Sequence, residues 1–544
     1  MVITELLEKH ARHKGDSVAL VEINPSEERD RARSWQELNL IESANPEMPY
    51  RRELSWQSFD RMANRFANLL LSRGVKRGEK VALLLMNCLE WLPLYFGILK
   101  AGCIAVPMNF RYSSSEISYC LSLADVSVLL FGPEFVSRLD ALPEAELPRA
   151  RFFVGRGAPD YAEECLTLIR YCSSSPPPVA LAEEDEAAIY FSSGTTGFPK
   201  AILHSHRALI SSCLTEQAHH GQGEEDVFLC IPPLYHTGAK MHWFGSLLSG
   251  SRAVLLRGVK PEWILRTVSE ERCTIVWLLV PWAQDILDAI DSGAIDLGSY
   301  RLSQWRLMHI GAQPVPPSLI RRWKKRFPHH AYDTNYGLSE SIGPGCVHLG
   351  VENEHKVGAI GRAGHLWQCA VVDEQGRAVE RGQVGELIVR GPGVMLCYYK
   401  NPAASAEVLK DGWLYTGDMA REDEEGFLYL VDRKKDVIIS GGENLYPVQI
   451  EDHLRSFDKV KDVAVIGLPD PRLGEIAAAI VEIKEGVDCT EAEIVAFCEA
   501  LPRYKRPRRV IFDRVPRNPT GKIEKPLLRE KYCHGSLVEA QITG

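Results

Sequence analysis

The sequence predicts an α/β protein. A large N-terminal domain of helix-covered, largely parallel sheets carries a strand-rich subdomain and is followed by a small α+β C-terminal domain. Three observations predict it. Short apolar runs alternate with helices through most of the chain, the texture turns strand-rich with repeated turn signals from about Gly382, and a compact block begins at Asp436. The length agrees, because 544 residues exceed the roughly 250–300 at which one core stops growing.

Taken in order, "MVITELLEKHARHKGDSVAL" reads as a short amphipathic helix carrying Ile3, Leu6 and Leu7, without the basic, apolar and small-residue regions of an export signal. Residues 24–53, rich in Glu, Arg, Asn and Pro, interrupt the first unit as a surface excursion. "LSWQSFDRMANRFANLLLSRGV" places Phe59, Met62, Phe66, Leu69 and Leu70 at helical spacing and ends at Gly74, after which "KVALLLM" is a strand. The helix "LEWLPLYFGILKAG" and the strand "IAVPMN" follow, and the rhythm returns at "VSVLLF", "RFFVG" and "RAVLL". Strands this continuously apolar are buried on both faces, as in parallel sheets between helices. In the final block, "VIISGGENLYPVQIEDHLRSF", "VKDVAVIGLPD", "EIAAAIVEI", "EAEIVAFCEALP" and "RRVIFDRVP" read strand, helix, strand, strand, helix, strand. The expected boundaries are 1–432 for the large domain, with about 382–432 its strand-rich part, and 436–544 for the small one.

With 45% hydrophobic and 25% charged residues the composition is that of a soluble globular protein. The longest apolar stretch, around Trp91 to Val106, is broken by Lys100, so no membrane span is expected. A net charge of −9 without a long basic run argues against a nucleic-acid partner, and the local "RYKRPRR" at 503–509 reads as a solvated loop. Fourteen cysteines with no C-x-x-C pair or zinc-like spacing read as reduced, mostly buried thiols and place the chain in the cytoplasm. Oligomeric state is not fixed by the sequence, and a homodimer stays open.

"YFSSGTTGFPK", residues 190–200, carries chemistry. A strand end entering a loop dense in Gly, Ser and Thr offers N–H and hydroxyl donors to an anion such as phosphate, and Lys200 adds a counter-charge. It is not a Walker A loop. Gly194 and Gly197 are three apart, Phe198 and Pro199 precede Lys200, and Ala201 stands where a magnesium-holding hydroxyl would be. By composition the loop is equally a surface turn, and other motifs decide.

Those motifs are "PPLYHTGA" (232–239), "NYGLSE" (335–340), "GWLYTGD" (412–418), "DRKKDVIISGGENLYP" (432–447) and "PRNPTGKIEK" (516–525). In this order, and over nearly the whole chain, they resemble the AMP-forming adenylate-forming enzymes: acyl-CoA synthetases, peptide-synthetase adenylation domains and firefly-type luciferases.

Joining a carboxylate to the α-phosphate of ATP brings two anions together, so the site needs cations and donors that act as charge moves onto pyrophosphate. The resemblance implies that Ser192, Ser193, Gly194, Thr195, Thr196, Gly197 and Lys200 cradle the phosphates, with Glu340 and Thr196 on Mg2+. It implies that Asn335, Tyr336, Gly337 and Ser339 form the adenine motif, Tyr336 stacking on the base, and that Gly311, Ala312 and Gln313 of "HIGAQP" flank purine and acyl carboxylate. Asp418 and Arg433 resemble ribose ligands, and Lys522 the lysine bridging substrate carboxylate and α-phosphate. Without its motif, a lysine beside Lys525 would read as solvated surface. Lys435 resembles the pivot of a 433–435 hinge about which the small domain rotates. Ser440, Gly441 and Gly442 resemble the loop lining a pantetheine tunnel, and His236 an aromatic gate between acyl pocket and thiol path.

The implied activity is conversion of a small-molecule carboxylic acid, with ATP and Mg2+, to an acyl-adenylate and then to its coenzyme A thioester. A stand-alone adenylating enzyme serving a carrier protein or an amine, or a luciferase-like oxygenase, is the alternative. An amino-acid adenylating domain would normally carry an aspartate near the start of "PPLYHTGA", and none is there. A non-enzymatic relative would be expected to lose Lys522, Asp418 or Glu340, and all are kept. Met241, Trp243, Trp277 and Trp282 fall in the segments resembling the acyl-pocket wall. Either an indole faces the ligand, favouring a neutral, compact hydrophobic acid (medium-chain fatty, cyclic or aromatic), or the tryptophans belong to the core behind it.

Overall fold

The apolar run at 80–84 lies inside an eight-stranded sheet, buried from Val81 onward. The structure, a computed structural model, describes residues 1–25, 51–192, 199–311, 315–440, 443–517 and 523–533. This sheet is ordered 397–398, 200–205, 186–192, 104–107, 80–84, 126–131, 150–153, 163–164. From Glu186–Ser192 outward to Glu163–Glu164 every pairing is parallel, while Glu186–Ser192 meets Lys200–Ser205 antiparallel.

A seven-stranded sheet is ordered 331–333, 307–311, 275–279, 227–230, 252–256, 18–23, 51–55, parallel except for the last pair. The two sheets share one core with the helices Trp56–Ser72, Trp91–Lys100 and Thr237–Ser249. Alternation along each strand assigns its faces: Leu83 and Phe228 enter the shared core, whereas Ala82 with Leu84, and Leu229, enter two separate cores. That is why these strands read as unbroken apolar runs.

The excursion expected at 24–53 is shorter than the sequence suggests. Residues 26–50 lie outside the described residues, but Arg51–Ser55 is a strand paired antiparallel with Val18–Ile23, Arg52 opposite Glu22. Arg52 is buried between the carboxylates of Glu22 and Glu90, the latter at 3.1 Å. Two carboxylates satisfy a guanidinium that could not be buried alone. Lys100 is likewise buried, held by Glu8 at 2.7 Å and Asp60 at 2.8 Å. Among the described residues no helix is long and apolar enough to cross a membrane.

The N-terminal helix Ile3–His13 buries Ile3, Leu6 and Leu7, and nine of the fourteen cysteines are buried. From 368 onward antiparallel strands 368–372, 384–390, 413–422 and 428–433 form the strand-rich part. The last sheet contains 438–440, 443–445, 460–470, 474–483 and 509–512. It follows the expected order with two additions, the strand Glu443–Leu445 folding back on Ile438–Ser440 and the closing helix Lys525–Cys533.

Candidate active site

Ser192 and Lys200 are register partners on neighbouring antiparallel strands of the large sheet, so the two ends of the Gly/Ser/Thr segment stand side by side. Ser193, Gly194, Thr195, Thr196 and Gly197 lie outside the described residues, as do Ala312, Gln313, Gly441, Gly442 and Lys522. Lys200 Nζ stands 4.6 Å from the centre of the Tyr398 ring. The Tyr398 hydroxyl donates to Glu340 Oε1 at 2.8 Å, and Met395 N–H donates to the Glu340 carbonyl at 2.8 Å. Burial and then Glu340 push the Tyr398 phenol up, keeping it a donor. Tyr398 thus gathers the loop lysine and the acidic residue of "NYGLSE"; the sequence reading misses it, because an aromatic pair in "CYYK" carries no signal of its own.

On the other side, Tyr336 in the strand Asn335–Leu338 is buried and its hydroxyl donates to Asp418 Oδ2 at 2.6 Å. Asp418 and Arg433 are register partners, with Arg433 Nε 3.3 Å from Asp418 Oδ1. Asp418 raises the Arg433 guanidinium further. Three residues expected at the nucleotide therefore meet, although they come from two sheets.

Gly311 closes the strand Leu307–Gly311, where a Cβ would lie 3.6 Å from Asn335 Oδ1 and 3.7 Å from Trp277 Nε1. Asn335 Nδ2 donates to Glu216 Oε1 at 3.4 Å, and its buried Oδ1 has no hydrogen-bond partner among the described residues. A buried amide oxygen left without a donor is an acceptor for something not present. Gly337 pairs with Pro344 across the hairpin, and the Ser339 carbonyl accepts from His204 Nε2 at 2.8 Å.

His236 caps the helix Thr237–Ser249, its Nδ1 accepting from Gly238 N–H at 3.2 Å, which leaves the proton on Nε2. Lys435 is exposed in the turn Lys434–Asp436. Ser440 pairs with both Glu443 and Gly474. Arg517 and Ile523, on either side of the Lys522 segment, form an antiparallel bridge. Lys525 is buried, with Nζ 2.8 Å from Glu451 Oε1.

The tryptophans divide. Trp243 is fully buried, packed at 6.0 Å on Phe59 and 5.7 Å on Phe96, and belongs to the core. Trp277 is buried in the same core, its Nε1 3.7 Å from where a Gly311 Cβ would stand, and Trp282 is half-buried between two cores. The Met241 side chain lies outside what is described.

Residues 7–399 match the family model described as AMP-binding enzyme, and 449–522 the AMP-binding enzyme C-terminal domain. The chain belongs to the AMP-binding enzyme family. Within it, the chain is an AMP-forming acyl-CoA synthetase of the adenylate-forming superfamily, and adenylate-forming acyl-CoA ligases use ATP, Mg2+ and coenzyme A. It is 33% identical over 484 residues to the long-chain-fatty-acid–CoA ligase FadD13 of Mycobacterium tuberculosis, covering 88% of this chain and 93% of that one. Identity to a feruloyl-CoA synthase of Amycolatopsis is 33% over 485 residues, covering 88% and 94%. Among solved structures, ATP-bound MatB from Rhodopseudomonas palustris superposes with a TM-score of 0.84 at 26% identity, covering 98% of this chain and 99% of that one.

Near the strands Leu307–Gly311 and Ala331–Asp333 this AMP-binding enzyme carries a buried polar group that the sequence reading overlooks. His220 Nδ1 lies 3.4 Å from Glu216 Oε2, and His220 Nε2 lies 3.3 Å from Asp333 Oδ2. His309 Nδ1 is 3.5 Å and His348 Nδ1 3.4 Å from the same Asp333 oxygen. Burial alone would raise the Asp333 carboxyl, but hydrogen bonds from His220, His309 and His348 hold it well below the carboxylate range. The i, i+4 spacing of Glu216 and His220 on one helix face is the part of this group a sequence could have offered.

Proposed function

We propose that this enzyme activates a neutral, compact hydrophobic acid, medium-chain fatty, cyclic or aromatic, and passes it to coenzyme A. The observation that carries the reading is Trp277, a core indole whose Nε1 lies 3.7 Å from where a Gly311 Cβ would stand, at the end of the strand where the acyl carboxylate would lie, so that it backs the wall there. Feruloyl-CoA synthase and the indoleacetate–CoA ligase of Aromatoleum aromaticum, 32% identical, are named for ring-bearing acids, whereas FadD13 is named for long chains.

The residues fit the nucleotide. Asn335 Oδ1 is an acceptor for an adenine amino group, Tyr336 offers a ring face, and Asp418 with Arg433 stands at the ribose. Ser192 through Gly197 and Lys200 take the phosphates, with Gly311 to Gln313 and Gly337 to Ser339 shaping the base and carboxylate side. Mg2+, when bound, neutralises phosphate charge; Glu340, oriented by Tyr398, and Thr196 would hold it.

Lys522 brings its cation to the carboxylate and α-phosphate during adenylation. The unit 436–544 then turns on Lys435 in the 433–435 hinge, away from 1–432 and its 382–432 part. Ser440, Gly441 and Gly442 thereby face the thiol path gated by His236. A single chain suffices for these roles, and a homodimer is compatible with them. Largely buried thiols suit a reducing compartment, the cytoplasm.

A carrier protein or an amine as acyl acceptor is the second reading, favoured by the fold shared with the amide bond synthetase McbA of Marinactinospora thermotolerans, TM-score 0.82 at 25% identity. Specificity constants over a chain-length and ring series, with coenzyme A as acceptor, test both. Each buried CH2 adds about 0.8 kcal/mol until the pocket fills, so kcat/KM should rise and then reverse. A steady rise to sixteen or eighteen carbons would sink the compact pocket, and AMP release indifferent to coenzyme A would favour the second reading.

A further inference from the structure

Three ligand-type atoms from three elements converge in the interior. His220 Nε2 comes from the helix His206–His220, His309 Nδ1 from the strand Leu307–Gly311 and Asp333 Oδ2 from the strand Ala331–Asp333. Their separations are 3.0 Å between the two nitrogens, 3.3 Å from His220 to Asp333 and 3.5 Å from His309 to Asp333. A tetrahedral ion with bonds of about 2.0–2.1 Å requires ligand-to-ligand edges of about 3.3–3.4 Å. All three residues are buried.

We propose that His220, His309 and Asp333 bind a divalent transition-metal ion of the zinc class, a site separate from the Mg2+ that accompanies ATP. The neighbours are arranged as such a site needs. Glu216 Oε2 lies 3.4 Å from His220 Nδ1, so the nitrogen facing away from the ion meets a carboxylate, the outer partner that a metal-bound imidazole usually has. Gly350 N–H donates to Asp333 Oδ1 at 2.9 Å, leaving Oδ2 to point at the two imidazoles. His348 Nδ1, 3.4 Å from that oxygen, braces it from outside the trio and is the adjacent group for a fourth corner.

Donor chemistry points the same way. Two nitrogens and one oxygen suit zinc or its first-row neighbours, whereas Mg2+ prefers six oxygens.

The consequence is mechanical. His309 stands two residues before Gly311, and Asp333 two before Asn335, so the ion ties the helix to both strands that end at the adenine side. It holds the site from behind and touches no reacting atom.

Full-length protein purified without chelator and analysed by plasma mass spectrometry should carry about one zinc-class ion per chain. Asp333→Asn and His309→Gln should lower that content at least tenfold, and Glu216→Gln should weaken Zn2+ affinity by ten- to a hundredfold. Chelator-treated wild type loaded with Co2+ should show the visible absorption of a tetrahedral nitrogen–oxygen site, and adding Zn2+ should raise its unfolding temperature. The wild-type titration decides even where a variant fails to fold. A metal-free purified chain whose chelated form takes up neither Zn2+ nor Co2+ at micromolar concentration would make the cluster a hydrogen-bonded network and overturn the proposal.

Discussion

Tyr398 is the side chain that the geometry adds to the chemistry. Its hydroxyl donates to Glu340 at 2.8 Å and its ring underlies Lys200. A hydrogen bond to a charged group is worth about 1.5–3 kcal/mol. Tyr398→Phe should therefore lower kcat/KM for pyrophosphate release by about ten- to a hundredfold while raising the Mg2+ concentration needed for half-maximal rate. An unchanged Mg2+ dependence would show that Glu340 needs no orienting partner. Lys522 tests the proposed division between half-reactions. Lys522→Ala should lose adenylation by several kcal/mol of transition-state stabilisation yet still convert supplied acyl-AMP to thioester; equal loss of both steps would refute it. Glu340, Asp418 and Lys522 could be nominated from the sequence because chemistry restricts which residue types can serve such roles. Tyr398 and the buried histidines could not, because what matters is the neighbour each meets across the fold.

At the scale of elements, apolar runs announced the buried parallel strands, while "RRELS" hid one. With two arginines and a glutamate it reads as surface, and it is a strand only because Glu22 and Glu90 neutralise Arg52 from other segments. The helix His206–His220 offers a measurable case of burial acting on charge. His206, at its first position behind the Ser205 cap, is buried, and burial drives its pKa down to about 4. His330, stacked on Phe327 at 4.7 Å, is driven by burial to about 3. Both fold neutral, with pKa values below the unfolded value of about 6.5, so their contribution is complete above pH 6.5 and is lost as pH falls through about 4 for His206 and about 3 for His330. For His206 the span of the shift corresponds to about 3 kcal/mol. Denaturant midpoints measured from pH 7 to pH 4 should fall less steeply in His206→Leu than in the wild type. Parallel slopes would mean that the histidine titrates alike in both states.

At the scale of the molecule, the site exists only where sheets meet. Lys200 comes from the eight-stranded sheet, Gly311 from the seven-stranded one, and Asp418 with Arg433 from the strand-rich part. Strand order across such crossovers is not encoded in any local stretch, so the site was legible through resemblance and not through periodicity. The chain passes to the last sheet through one turn, beyond which Val448 N–H also donates to Asp432 Oδ2 at 2.9 Å. Val437 N–H closes it on the Arg433 carbonyl at 3.1 Å, Lys434 pairs with Glu386 at 3.1 Å, and Asp436 pairs with Arg529 at 2.7 Å. Lys435, between these anchors, is exposed. If the C-terminal unit must swing for the thioester step, a very few residues here absorb the change in φ and ψ. Proline holds φ near −65°, a value at home in the present turn and unable to follow a rotation. Lys435→Pro should consequently keep acid-dependent pyrophosphate release within a few fold of wild type while coenzyme A-dependent AMP release collapses. The two half-reactions, assayed separately on one preparation, distinguish this from general damage, which would lower both. A proline variant with undiminished overall turnover would place the pivot at another residue.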